Sequence, residues 1–109
     1  MAEEPWENDD DGWEGGLVTK KEQKTKKPSM YKVVLYNDDY TSMELVIEIL
    51  VRFFEKSQPE ATHIMLTVHK KGSGVAGVYP YEVAETKVSE ATTFARSYEA
   101  PLLITMEEA

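Results

Sequence analysis

The amino-acid sequence predicts an α+β domain in which a three-stranded antiparallel sheet packs against three helices, in the order β-α-α-β-α-β. Three observations predict this class. Three short segments are rich in β-branched and aromatic residues, and three longer segments repeat apolar residues at the i, i+3, i+4, i+7 spacing of an amphipathic helix. Proline, glycine and Asn-Asp turns separate these segments. The 109 residues are enough for one domain with a modest core.

A polar turn joins the first strand to the first helix. Residues 31–36 (Tyr-Lys-Val-Val-Leu-Tyr) have the composition of a strand. Thr41 and Glu44 have the spacing of a capping box, which predicts a helix with Thr41 as its N-cap. This helix is expected to run to about Ser57. Its apolar face comprises Val46, Ile49, Leu50 and Phe53.

The second helix is expected to begin near Pro59, since proline suits the first turn of a helix. Gly72-Ser73-Gly74 ends it, and residues 75–79 then read as the second strand. The apolar stripe of this helix comprises Ala61, Ile64, Met65 and Val68.

Two prolines bound the third helix. Pro80 opens it and Pro101 stops it, so that residues 102–106 form the last strand. The predicted inner face of this helix comprises Val83, Ala84, Val88, Ala91, Ala95 and Tyr98.

Residues 1–27 have a different composition from the rest of the chain. Seven acidic residues lie between positions 3 and 14, five lysines lie between positions 20 and 27, and the few apolar residues include Trp6 and Trp13. Such a segment cannot bury enough surface to offset its ordering entropy, so we expect it to be disordered and the domain to occupy residues 28–109. The two tryptophans are either docking points for another protein or isolated exposed aromatics.

Composition limits the class of function. The chain has no cysteine, which excludes disulfides, thiolate metal sites and cysteine nucleophiles. The formal charge of -8 argues against nonspecific binding of nucleic acid. We find neither a signal peptide nor an apolar run of about 20 residues, so we expect a cytoplasmic protein that does not enter a membrane.

The turn at residues 37–44 (Asn-Asp-Asp-Tyr-Thr-Ser-Met-Glu) is the strongest candidate for a binding site. If the first two helices pack side by side, Met65, Val68 and His69 lie over this turn and form a small apolar cup with a polar rim. A carboxylate, an amide oxygen and a neutral imidazole nitrogen can together accept all three hydrogens of an ammonium group. The cup therefore suits a ligand with a cationic head and an apolar tail.

The same residues also have purely structural interpretations. Asn37 and Asp38 are common turn formers, Asp39 suits a helix N-terminus, and His69 suits a helix C-terminus. A divalent metal would need more oxygen ligands than the turn offers. A hydrolase that used Asp39 and His69 would lack a positioned serine or cysteine nucleophile. Composition and spacing alone predict a small acidic binding domain.

Four ordered blocks of the sequence match one known family. They are Pro-Ser-Met-Tyr-Lys-Val-Val-Leu at 28–35 followed by Asn-Asp-Asp-Tyr-Thr at 37–41, Met-Leu at 65–66 with Val-His at 68–69, Glu-Val-Ala-Glu-Thr-Lys at 82–87, and Pro-Leu-Leu at 101–103. They resemble ClpS, the bacterial adaptor of the ClpAP protease, over residues 28–109. Ser42 stands where many relatives have proline, which predicts a slightly looser turn.

The resemblance implies an adaptor without catalytic activity or cofactor. Such adaptors bind substrates whose N-terminal residue is bulky and hydrophobic (Leu, Phe, Tyr or Trp) and deliver them to the ClpA unfoldase. Two other classes remain open. One is a generic or ribosome-associated interaction domain with the same fold and no pocket, and the other is a small metal- or carboxylate-dependent hydrolase.

The resemblance also implies roles for individual residues. Asn37, Asp39 and His69 correspond to residues that bind the α-amino group of the substrate, with Asp38 alongside. Residues implied for the side-chain pocket are Leu35, Thr41, Met43, Val46, Met65, Val68 and Leu102. Met43 matches a gate that excludes β-branched side chains. Glu82 and Lys87 match positions that contact the N-terminal domain of ClpA, although spacing alone favours a solvated helix face.

Overall fold

Three strands and three helices follow one another in the predicted order in the computed structural model, which describes residues 29–109. They are β1 (Met30–Tyr36), α1 (Met43–Phe54), α2 (Gln58–Lys71), β2 (Ser73–Pro80), α3 (Tyr81–Ser97) and β3 (Leu103–Glu108). The predicted disordered segment, residues 1–27, lies outside the described residues. Within them, no helix is long and apolar enough to cross a membrane.

The strands form one antiparallel sheet in the order β2-β1-β3, which confirms the predicted class. The last residue of the central strand, Tyr36, pairs with Ser73 of β2 and with Leu103 of β3. Because these two residues begin the flanking strands, the turn that follows β1 leaves the sheet beside the end of α2 and beside the connection that precedes β3. This register determines which distant segments surround the candidate site.

The cap of α1 differs from the prediction. The N-cap is Ser42, whose hydroxyl oxygen accepts a hydrogen bond from the backbone N–H of Leu45 at 3.1 Å. Thr41 does not cap the helix because its hydroxyl donates to Asp38 instead. The helix also ends earlier than Ser57, since Glu55 adopts the left-handed conformation with φ 58°.

Both ends of α2 are specified by local sequence. Ser57 and Glu60 form a reciprocal capping box at the N-terminus, with the Ser-x-x-Glu spacing typical of this motif. Gly72 caps the C-terminus with φ 93°, a conformation that glycine adopts without steric cost. Ala61, Met65 and Val68 are buried as predicted.

The predicted inner face of α3 is correct for its alanines. Ala84, Ala91 and Ala95 are fully buried, and their small side chains allow the helix to approach its neighbours closely. The prediction is wrong for Val83 and Tyr98, which are 42% and 60% exposed. Tyr98 follows the last helical residue with φ -101°, so the helical periodicity no longer determines its direction.

The core lies between the sheet and the helices. Its largest fully buried side chains are Val33, Leu35, Ile49, Leu50 and Leu102. Each such side chain contributes about 1.5–3 kcal/mol by leaving water. These side chains come from β1, from α1 and from the connection that precedes β3, and their packing in one core positions the turn between β1 and α1.

Candidate functional site

The turn that follows β1 is closed by the side chain of Asp38. Its Oδ1 accepts hydrogen bonds from the backbone N–H groups of Tyr40 (2.7 Å) and Thr41 (2.8 Å). Its Oδ2 accepts a third from the Thr41 hydroxyl, also at 2.7 Å. A carboxylate offers about four lone-pair sites, so most of the capacity of Asp38 is used inside the turn.

These hydrogen bonds favour the charged form of Asp38. Burial of the carboxyl group raises its pKa, but the bonds from the Thr41 hydroxyl and from the backbone N–H groups of Tyr40 and Thr41 lower it by more. The positive charge of Arg96 lowers it further. The pKa of Asp38 therefore lies below its ordinary value of 3.8, and the turn is closed at neutral pH.

A backbone hydrogen bond attaches this turn to the end of α2. The N–H of Asn37 donates to the carbonyl oxygen of Gly72 at 2.9 Å. His69 lies in the last turn of α2, three residues before this glycine cap. The bond therefore joins the two parts of the predicted amine-binding set, which are 32 residues apart in the sequence (69 minus 37).

A surface depression of about 380 Å³, which we call the cup, lies where the turn, α1 and α2 meet. Its size falls within the range of small-ligand pockets. It is lined by Asn37, Asp38, Asp39, Thr41, Ser42, Met43, Glu44, Val46, Met65, Val68 and His69. The structure thus brings together all four residues predicted for amine binding and five of the seven predicted for the side-chain pocket.

The apolar part of the cup comes from both helices. Val46, Met65 and Val68 are at most 7% exposed and form its buried wall. Met43, the first residue of α1, is 43% exposed and also lines the cup.

The polar part of the cup is open to solvent. Asn37, Asp39 and His69 are all exposed, and they supply an amide, a carboxylate and an imidazole. In residues 29–109 the single ion pair joins Arg52 to Glu48, so the carboxylate of Asp39 has no cationic partner there. An ammonium group would supply one.

This combination of groups limits the chemistry of a ligand. Acceptors on one side and apolar carbon on the other suit a primary ammonium group attached to a hydrophobic side chain. Within residues 29–109, histidine and acidic residues form no cluster of three that would hold a metal ion. The cup therefore fits a cationic amphiphilic group better than a metal.

Two residues predicted for the pocket lie elsewhere. Leu35 and Leu102 are 0% and 1% exposed, and both belong to the core rather than to the lining of the cup. Ser42 and Glu44 also line the cup; both lie within the predicted turn at residues 37–44, but no individual role was predicted for either. Their signal was their place in that turn, at the start of α1.

The residues predicted to contact a partner lie on α3, away from the cup. Glu82 is exposed, whereas Lys87 donates a hydrogen bond from Nζ to the carbonyl oxygen of Phe53 at 2.8 Å. The same Nζ lies 5.2 Å from the centroid of the Tyr79 ring. Both residues line a shallow depression of about 340 Å³, together with Val83, Thr86 and Glu90.

A larger depression of about 620 Å³ lies on the outer side of α1. Its lining residues are Glu44, Ile47, Glu48, Val51, Arg52 and Gln58. Two of its charged groups already pair with each other, since Arg52 lies 3.6 Å from Glu48. The cup is the better candidate because its polar groups converge beside a buried apolar wall.

Comparison with known sequences identifies relatives over nearly the whole chain. The family model described as "ATP-dependent Clp protease adaptor protein ClpS" matches residues 26–105. A protein of that description from Rhodospirillum centenum is 57% identical over 99 residues, which cover 91% of this chain and 92% of the relative. Another from Parvibaculum lavamentivorans is 54% identical over 108 residues, which cover 98% of each chain.

A solved structure has the same fold. It is the ClpS2 protein of Agrobacterium tumefaciens bound to L-phenylalaninamide, with a TM-score of 0.74 and 40% sequence identity. The match covers 76% of this chain and 100% of that one.

Proposed function

Because this chain belongs to the ClpS family of ATP-dependent Clp protease adaptors, we propose that its cup binds the N-terminal residue of proteins destined for degradation. As an adaptor the chain is not an enzyme. The preferred first residue is bulky and hydrophobic: Leu, Phe, Tyr or Trp. The adaptor then delivers the bound protein to a ClpA-type unfoldase for degradation by ClpAP.

The ligand of the Agrobacterium relative supports this proposal most directly. L-phenylalaninamide carries a free α-amino group and a phenylalanine side chain, so it stands for the first residue of a peptide. The cup of the present chain offers acceptors for such an amine beside an apolar wall. We therefore extend this chemistry from the relative to the present chain.

In the proposed complex, Asn37, Asp39 and His69 accept hydrogen bonds from the ammonium group, with Asp38 alongside. A free α-amino group has a pKa of about 7.7–8.0 and is largely protonated at neutral pH. Each charge-assisted hydrogen bond is worth about 1.5–3 kcal/mol. The exposure of these side chains reduces that figure, because water competes for the same groups.

The apolar wall contacts the side chain of the first residue. Val46, Met65 and Val68 remove it from water, which contributes about 1.5–3 kcal/mol for a Leu- or Phe-sized group. Thr41 and Met43 complete the proposed pocket, and Leu35 and Leu102 support it from the core. After the cost of association, we expect a dissociation constant in the range of about 1 μM.

Delivery requires a second surface. We assign it to α3, with Glu82 and Lys87 as contacts for the N-terminal domain of the unfoldase. These residues lie outside the cup, so one adaptor can hold a substrate and its partner together. Because the partner protease depends on ATP, we place this exchange in the cytoplasm.

Fluorescence anisotropy with labelled peptides that differ only in their first residue tests the recognition step. We expect peptides beginning with Phe, Leu, Tyr or Trp to bind at least about tenfold more tightly than one beginning with Ala. An interaction domain without a pocket would bind all of them equally, and that result would overturn the proposal. Degradation of a Phe-initiated reporter by ClpAP, with and without this chain, tests delivery.

A further inference from the structure

One cationic side chain joins the candidate site to a distant part of the chain. We propose that Arg96 is a positioning residue for the amine-binding turn: it fixes the α3–β3 connection through two carbonyl oxygens and places its positive charge near the turn that Asp38 closes. This inference rests on the proposed function, because it concerns the presentation of the same amine-binding groups.

Arg96 is bonded to the connection between α3 and β3. Its Nη1 donates hydrogen bonds to the carbonyl oxygens of Ala100 (2.8 Å) and Leu102 (3.0 Å), on either side of Pro101. Both bonded residues are at most 4% exposed, so these carbonyls sit at the edge of the core. The guanidinium therefore anchors the chain just before β3 begins.

The sheet register places this connection beside the amine-binding turn. Tyr36 pairs with Leu103, so the turn after β1 and the connection before β3 lie side by side. Glu99 in that connection has φ 60°, a conformation that non-glycine residues rarely adopt. A residue that holds this connection also restrains the neighbouring turn, because the two segments share the end of the sheet.

Arg96 also acts on the turn through its charge. Charged side chains lie on three sides of Asp38: Asp39 and Glu44 line the cup at the start of α1, His69 lines it from α2, and Arg96 acts from α3. Tyr40, also titratable, donates its backbone N–H to Asp38. Arg96 is the permanent cation among them. Burial raises the pKa of Asp38, the hydrogen bonds from Thr41 and Tyr40 lower it most, and the positive charge of Arg96 adds the smallest lowering effect.

The central experiment compares Arg96→Gln with Arg96→Lys. For each, NMR follows the titration of the Asp38 carboxyl group in the free protein, and anisotropy measures binding of a Phe-initiated peptide. We expect Arg96→Gln to raise the pKa of Asp38. We also expect it to weaken peptide binding on the order of fivefold, which is the lower end of the affinity changes typical of coupled sites. Arg96→Lys keeps the charge and should restore the Asp38 titration.

Arg52→Gln is the matched control. Arg52 is also a helical arginine with an exposed side chain, but it packs over the Phe94 ring at 4.8 Å and pairs with Glu48. Its replacement should leave both readouts unchanged. If Arg96→Gln does not fold, Arg96→Met keeps the aliphatic stem and the same outcomes apply.

The two proposals fail in different ways. An Asp38 titration that is identical in the unmodified protein and in Arg96→Gln would overturn the role of Arg96, as would equal effects of glutamine and lysine. That titration needs no ligand, so it decides the matter independently of peptide binding. Failure of the unmodified protein to bind the Phe-initiated peptide would instead overturn the proposed function. If Arg96 acts through Asp38, its effect on binding should also disappear in an Asp38→Asn background.

Discussion

At the scale of single residues, two neighbouring carboxylates have different environments. Asp38 accepts three hydrogen bonds within its own turn, whereas Asp39 is exposed and, within residues 29–109, has no ion-pair partner. One carboxylate therefore builds the turn and the other is available to a ligand. The sequence does not distinguish the roles of two adjacent aspartates, whereas the hydrogen bonds of each side chain do.

Asp38→Ala should lower the free energy of unfolding by about 1–2 kcal/mol near neutral pH, because the turn loses three hydrogen bonds. The pKa of Asp38 is lower in the folded state than its ordinary value of 3.8. Its stabilisation is therefore fully present above that value and is lost as pH falls through the folded pKa. Urea denaturation should show that the difference in unfolding free energy between Asp38→Ala and the unmodified protein becomes smaller below about pH 4.

Asp39→Ala is the control for this prediction. It removes a carboxylate that makes no hydrogen bond to residues 29–109, so the free energy of unfolding should change little at either pH. Equal losses for both variants would contradict the assignment of Asp38 as the turn-forming residue.

Met43→Ala should admit peptides that begin with Ile or Val. A β-branched side chain is stiff at χ1 and cannot turn away from the methionine, whereas Leu and Phe can. We expect the affinity for an Ile-initiated peptide to rise on the order of tenfold, as measured by anisotropy. Met30→Ala is a matched control, since Met30 is 42% exposed but lies outside the cup. An unchanged preference in Met43→Ala would contradict the gate.

At the scale of elements, the close packing of β2 on α2 shapes the cup. A Cβ atom added at Gly74 would lie 2.9 Å from Cγ2 of Val68, a residue of the cup wall. The absence of a side chain at Gly74 therefore fixes how far Val68 projects. A residue of β2 that does not line the cup therefore influences the width of the cup.

Gly74→Ala should shift Val68 and narrow the cup, at a cost of about 1–3 kcal/mol in the free energy of unfolding. Binding of a Trp-initiated peptide should weaken more than binding of a Leu-initiated one. Gly72→Ala provides the comparison, because its cost arises from φ 93° and an added Cβ meets nothing within 4 Å. In Gly72→Ala, the ratio of the affinities for the Trp-initiated and Leu-initiated peptides should be the same as in the unmodified protein. The same ratio in both variants would contradict this account of Val68.

Element order was predictable because it depends on local patterns. The apolar stripes of the helices and the turn residues between them are properties of short windows, and all six elements formed in the expected order. The capping-box spacing of Thr41 and Glu44 predicts Thr41 as the N-cap, but the adjacent Ser42 can take the same role. The bond from Thr41 to Asp38 decides between them, and spacing alone does not reveal it.

At the scale of the whole molecule, α1 spans the distance between the cup and α3. Its first residue, Met43, lines the cup, and near its last turn the carbonyl oxygen of Phe53 accepts a bond from Lys87. Lys87 thus has a structural role in addition to its proposed contact with the unfoldase. Glu82 is exposed, and no side-chain hydrogen bond joins it to residues 29–109.

Substitutions on α3 should therefore separate delivery from stability. Glu82→Lys should leave peptide affinity and unfolding free energy unchanged while it reduces degradation of a Phe-initiated reporter by ClpAP. Lys87→Ala should also lower the free energy of unfolding, by about 1 kcal/mol, because it loses a hydrogen bond and cation–π contacts with Tyr79 and Phe54. Full delivery by Glu82→Lys would contradict the assigned surface.

The long-range parts of the site were predictable only in part. His69, Met65 and Val68 were placed over the turn because two adjacent helices with apolar stripes were expected to pack together. Arg96 was missed because its partners are backbone carbonyls, which leave no pattern in the sequence. Leu35 and Leu102 were assigned to the pocket by resemblance, and their complete burial became visible only in the packed structure.

The central claim is that the cup recognises a free, protonated N-terminus together with a hydrophobic first side chain. Two Phe-initiated peptides that differ only in N-terminal acetylation test it directly by anisotropy, because acetylation removes the charge and two of the three hydrogen-bond donors while the side chain is kept. We predict binding of the free peptide in the range of about 1 μM and a loss of at least about 100-fold on acetylation. Equally tight binding of the acetylated peptide would contradict the claim.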